Sequence, residues 1–115
     1  MNYKWGIFFA DLDPVIGSEQ QGKRPVLVIS DEDFNSLMPV VTVLPLTSLK
    51  EGRRVYPNEV LLKAGKDSGL TQDSLVLAYQ IRTISKSRLK DLICYVNEYT
   101  IQEAINETLR VHLNL

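Results

Sequence analysis

A chain of 115 residues, 44% hydrophobic and 23% charged, carries enough apolar material for one globular domain spanning 1–115 and leaves no room for a separate regulatory one. Thirteen Lys and Arg against fourteen Asp and Glu give a net charge of −1, so any attraction to nucleic acid must come from local groups of cations. One histidine and one cysteine exclude an internal disulfide, a multi-histidine or cysteine-rich metal site, and acid–base chemistry between two histidines of one chain.

Tyr3 to Leu12, rich in aromatic and β-branched residues, predicts a first strand that breaks at Asp13-Pro14. A polar, glycine-containing loop follows to Lys23. Pro25 to Ser30 and Val40 to Pro45 are short, continuously apolar runs, the pattern of strands covered on both faces, with a turn or short helix over Asp31 to Pro39 between them. A fourth strand is predicted over Asn58 to Lys63, a loop over Ala64 to Asp73, and a fifth strand over Ser74 to Ile84. Ser85 to Leu89 reads as a helical turn and Leu92 to Val96 as a further strand, in which Cys94 is expected to be a buried structural thiol. The C-terminal segment predicts a helix: Thr100 and Glu103 have capping-box spacing, and Ile101, Ala104, Ile105, Thr108, Leu109 and His112 share one face. The fold class expected is mainly β with a C-terminal helix, a compact antiparallel barrel with the helix packed on it. No apolar run approaches the roughly 20 residues of a membrane span, and the start MNYKWGIFF lacks a signal-peptide pattern, so a cytoplasmic location without a membrane segment is expected.

Chemistry narrows to few residues. His112 falls at the centre of the helix's apolar face and reads as a core or interface residue. Asp11 and Asp13 alternate along the end of the first strand and point the same way, a pair that a hard cation takes; a turn-initiating Asp13 before Pro14 explains them more simply. Asp31, Glu32 and Asp33 read as a solvated turn or helix start. Arg24 stands out at a loop-to-strand junction, where the backbone fixes it and its fork of donors matches phosphate oxygens. A structural salt bridge to a nearby acid is the alternative. Thr47 emerges from the apolar run VVTVLP, and its hydroxyl either meets a ligand at the strand's mouth or caps a turn.

The stretches "GIFFADLDPVIGSEQQGKRPVLVIS" (6–30), "VVTVLPLTS" (40–48), "VYPNEVLL" (55–62) and "DSLVLAYQIRTISKSRL" (73–89), in order and spacing, resemble the MazF/PemK toxin family of bacterial toxin–antitoxin systems. The resemblance implies an SH3-like barrel of the CcdB/MazF/PemK type. It also implies a homodimeric endoribonuclease that needs neither metal nor other cofactor, cuts single-stranded RNA at specific sequences, leaves DNA uncut and is blocked by a MazE-like antitoxin. Matched by motif, Arg24 and Thr47 are the catalytic pair. Glu19 is a candidate base for the 2′-hydroxyl, and Gln20, Ser48, Arg53, Gln80 and Arg82 are the RNA-binding set. Some relatives carry an acid just before the last motif's Gln and an Arg two residues earlier, whereas this chain reads Leu77, Ala78, Tyr79, Gln80; the roles of those charges do not transfer. The CcdB-type gyrase poisons resemble the same fold without being nucleases, and an inactive RNA-binding module is a further alternative.

Overall fold

The computed structural model describes residues 2–13, 16–19, 22–66 and 68–115. Seven antiparallel strands, β1 (Gly6–Asp11), β2 (Lys23–Val28), β3 (Val40–Ser48), β4 (Glu59–Leu62), β5 (Ser74–Leu77), β6 (Arg82–Ser85) and β7 (Leu89–Tyr95), make one sheet. Two helices, α1 (Glu32–Leu37) and α2 (Tyr99–Leu113), complete the fold. The strand order is β4-β5-β3-β2-β1-β7, with β6 also on β3. The antiparallel sheet with its terminal helix is the class expected from the sequence, but its path is open, because β4 and β7 end it without pairing.

The continuous apolar runs are indeed strands buried on two faces. Side chains alternate across a strand, so Ile7, Leu27 and Leu44 enter one core with Leu46, Val76 and Ile105. Phe8, Val26, Val28 and Val43 enter a second core with Val41 and Ile84. Helix α2 closes the first core with Ile105 and Thr108. Its start differs from expectation: the helix begins at Tyr99, the Glu98 side chain makes no cap, and Gln102 Nε2 donates to Val96 O at 2.7 Å instead. Thr100 therefore lies inside the first turn, two positions past the N-cap residue Glu98. Ala104 and His112 are exposed rather than on the buried stripe, and His112 stands beside the Tyr79 ring with centroids 6.5 Å apart. Cys94 is half-buried against the first core, which pushes its thiol pKa up. Among the described residues no helix is long and apolar enough to cross a membrane.

Two other boundaries shift for local reasons. The first strand starts only at Gly6, after a turn in which Trp5 takes a φ of 68° and Gly6 N–H donates to Tyr3 O at 2.9 Å. A Cβ at Gly6 would lie 2.6 Å from the Phe8 ring, so the turn admits no larger residue without a shift. The predicted fifth strand is two strands. A 3₁₀ turn over Ala78–Gln80 ends β5, with Ala78 N–H donating to Asn58 O at 3.2 Å, and the chain re-enters the sheet as β6 against Val40–Val43. Strand β3 thus serves β6, β2 and β5 along successive segments.

Asp31 caps α1 by accepting from Asp33 N–H, but Glu32 is more than a solvated helix start. Its carboxylate accepts from Tyr3 N–H at 2.8 Å and Lys4 N–H at 3.1 Å, and from the Asn35 amide at 3.2 Å, tying the N-terminal segment to α1. Partial burial pulls the Glu32 pKa up, yet these hydrogen bonds outweigh it and hold the pKa below the ordinary value. Ionised Glu32 therefore stabilises the fold above the unfolded carboxylate pKa, and that contribution is lost as pH falls through the lower folded value. Glu32→Gln is expected to cost about 1 kcal/mol at neutral pH, a charged hydrogen-bond set discounted for solvent. Urea unfolding should show the gap to the wild type closing in acid, below about pH 4.

Candidate active site

The loop between β1 and β2 is closed at its base by polar groups near the strand ends. Leu12 N–H donates to Gly22 O at 3.0 Å, Gly22 N–H to Asp13 Oδ1 at 3.0 Å, and Asp13 N–H to Asp11 Oδ1 at 3.1 Å. Both carboxylates serve the turn, the simpler of the two sequence readings. Among the described residues no three His, Cys, Asp or Glu side chains converge as a metal site. Two arginines brace the same turn from below. Arg88 Nη1 donates to Asp11 O at 3.1 Å and Asp13 O at 2.6 Å, and Arg82 Nη1 reaches Leu12 O at 3.5 Å. Arg82, expected to bind RNA, is thus half-buried with its guanidinium at the backbone under the loop. Arg88 has no motif of its own to mark it.

Arg24 follows directly on that base. It is half-buried on β2 opposite Ala10 and makes a contact of its own. The β2–β3 register pairs Val28 with Val43, Leu27 with Leu44 and Val26 with Pro45. Two further residues along each strand lead to Arg24 and Thr47, so the sheet carries both to the same end of this ladder. Thr47, half-buried, pairs with Leu75 across β5, and Ser48, exposed, pairs with Ser74. Gln80, in the 3₁₀ turn, donates from Nε2 to Ser18 O at 3.2 Å and so ties the loop to the far side of β3. Glu19 is exposed, and its Oε1 accepts from Ile16 N–H at 2.8 Å. It braces its own loop and is not desolvated in this arrangement. Gln20 lies outside the described residues.

Arg53 does not join this group as an open cation. Its Nη1 and Nη2 grip the two oxygens of Glu59 at 2.9 and 2.6 Å, and Nη1 also donates to Arg54 O at 2.8 Å. Glu59, only 5% exposed, further accepts from Tyr56 N–H at 3.0 Å and from the Tyr79 hydroxyl at 3.2 Å. The Arg53 hydrogen bonds hold the Glu59 pKa down against its burial and push the Arg53 pKa up. Burial first, then the Glu59 charge, raises the Tyr79 phenol, which stays a donor at neutral pH. Removing one partner of such a pair strands the other. Arg53→Ala leaves a buried carboxylate and should destabilise the fold at pH 7 more than Glu59→Gln, whose stranded Arg53 reaches solvent. Without the guanidinium the Glu59 pKa rises, because only Tyr56 N–H and the Tyr79 hydroxyl then oppose the effect of burial. The deficit should then be largest at neutral pH and shrink as the carboxyl protonates, which denaturant melts at pH 4 and 7 resolve.

Comparison with known proteins bears on this arrangement. Residues 3–113 match the family described as PemK-like, MazF-like toxin of type II toxin–antitoxin system. Endoribonuclease EndoA of Bacillus subtilis is 39% identical over 109 residues, covering 95% of this chain and 91% of that one. Endoribonuclease MazF of Staphylococcus saprophyticus is 36% identical over 95% of this chain and 88% of its own. A mycobacterial endoribonuclease solved in complex with its cognate antitoxin superposes with a TM-score of 0.79 at 26% identity, covering 100% of this chain and 97% of that one. With the family matched over nearly its whole length, the chain belongs to the PemK-like, MazF-like toxins of type II toxin–antitoxin systems.

Proposed function

We propose that this chain is the endoribonuclease of a toxin–antitoxin pair, acting in the cytoplasm as a homodimeric, single-domain enzyme on single-stranded RNA. The reading is supported by the β2–β3 register, whose last pair, Val26 with Pro45, lies two residues from Arg24 on one strand and from Thr47 on the other, and by the Gln80 contact to the neighbouring loop. Rigid strands hold such groups to the tolerance that phosphate chemistry requires.

In the reaction the RNA 2′-hydroxyl attacks the adjacent phosphorus. The bond from phosphorus to the 5′-oxygen breaks, one proton leaves the 2′-oxygen and one reaches the 5′-oxygen, giving a 2′,3′-cyclic phosphate and a 5′-hydroxyl end. The nucleophile belongs to the substrate, so the protein's tasks are to hold the phosphate, offset its added negative charge and move two protons. Arg24 stabilises the phosphoryl oxygens and Thr47 fixes one of them by its hydroxyl. Glu19 takes the 2′-proton once bound RNA draws its carboxylate from Ile16 N–H. Ser48 and Gln80 supply neutral hydrogen bonds along the strand, with Gln20 in the same loop. Arg53 and Arg82 act behind the surface, one holding Glu59 and one the loop base. The solved complex of a related endoribonuclease with its cognate antitoxin supports an antitoxin as this chain's partner.

Arg24→Ala is expected to lower cleavage by about 10²- to 10³-fold, the scale of losing one charge-stabilising donor. Circular dichroism should stay native. Sequencing the ends cut from a long RNA in chelator measures it, and equal cutting by wild type and variant would remove Arg24 from catalysis. A single 2′-deoxy substitution at the cut position should abolish cleavage while leaving binding.

A further inference from the structure

Beside the candidate active site lies a cleft of about 620 Å³ that the chemistry above leaves unused, lined by Tyr56, Tyr79, Val111 and His112 with Arg53 at its floor. Tyr56 and Tyr79 are 49% and 38% exposed, a large open aromatic surface for so small a chain. Their placement is not loose. Glu59 binds Tyr56 N–H and the Tyr79 hydroxyl while Arg53 neutralises it, so one buried carboxylate fixes both walls. The Arg54 guanidinium sits 5.4 Å from the centre of the Tyr56 ring, and His112 meets Tyr79 edge-on. Tyr79 immediately precedes Gln80, whose amide holds Ser18 of the loop.

Aromatic faces with a cation at the rim are how proteins hold unpaired bases: every base offers a π-face, and the guanidinium meets the adjoining phosphate. Between a base and an apolar protein side chain, the Arg54 cation over the Tyr56 ring favours the base, because its adjoining phosphate can meet that charge. We propose that the Tyr56, Tyr79 and His112 cleft is a stacking subsite for one unpaired RNA base flanking the cut, with Arg54 on the neighbouring phosphate. This rests on the ribonuclease reading and deepens it. Selection here is by stacking area, so purines are favoured over pyrimidines and no base is read by its edge.

The test is an abasic scan. RNA oligonucleotides bearing one abasic nucleotide at each position flanking the cut are cleaved by the wild type, Tyr56→Ala and Tyr79→Phe. At one position the wild type should lose about 5- to 100-fold in kcat/KM, mostly in KM, the size of one base–aromatic stack. Tyr56→Ala should abolish that sensitivity, while Tyr79→Phe, which keeps the ring, should retain it. If no flanking position shows a sensitivity that Tyr56→Ala removes, the subsite is wrong. It is also wrong if Tyr56→Ala changes only the sedimentation of the protein, for then the cleft is a contact between copies. Should the wild type not cut RNA at all, quenching of 2-aminopurine in bound RNA, present in wild type and lost in Tyr56→Ala, still reports the stack, so the two readings fail separately.

Discussion

Burying β1, β2 and β3 on both faces is the constraint from which the rest follows. When Ile7 and Phe8, Val26 and Leu27, and Val43 and Leu44 point into opposite cores, no polar side chain fits along the middle of these strands. Chemistry is pushed to strand ends and to the loops that join them. Arg24 stands before the apolar run of β2 and Thr47 after that of β3, each two residues beyond the last β2–β3 pair, Val26 with Pro45. A one-residue slip of β2 against β3 would send each side chain of β2 into the opposite core, so the cost of repacking both cores also protects the geometry of the site.

The arginines divide by what the backbone and acids around them leave open. Arg88 and Arg82 are directed at carbonyl oxygens at the end of β1, and Arg53 is matched to Glu59. The first two stiffen a loop whose own carboxylates, Asp11 and Asp13, are already committed to backbone N–H groups. A net charge of −1 is therefore a poor guide to the surface, since several cations are turned inward by specific contacts.

Much of this was legible in the sequence, for physical reasons that differ by element. Two-faced strands write themselves as unbroken apolar runs, so β2 and β3 were plain. The split of β5 from β6 was not, because the 3₁₀ turn at Ala78–Gln80 is set by a hydrogen bond to Asn58, twenty residues earlier, which no local pattern encodes. The α2 start misled because Thr100 and Glu103 imitate a capping box inside the helix, while the anchoring group is Gln102 on Val96 O. At the candidate site, Arg24, Thr47 and Gln80 were singled out by a run of motifs. Arg53 carried an expectation of RNA contact that Glu59 alters: an acid six residues away in a coil-to-strand segment gives no periodic sign of pairing.

Glu59 also explains how this chain manages without the charges some relatives carry before Gln80. Position 77 faces the core, where Leu77 is 1% exposed and pairs across the ladder with Glu59, and an arginine there would be buried. The negative group near the 3₁₀ turn comes instead from β4, reaching Tyr79 from below, and its charge is cancelled within the protein by Arg53 rather than presented to a ligand. A carboxylate at position 79 would stand near the ionised Glu59, and like charges in a partly buried site repel. Tyrosine removes the repulsion, donates to the carboxylate, and leaves its ring outward. Tyr79 thus completes the buried cluster with its hydroxyl and leaves an aromatic face beside the 3₁₀ turn, where stacking is the contact its ring can offer.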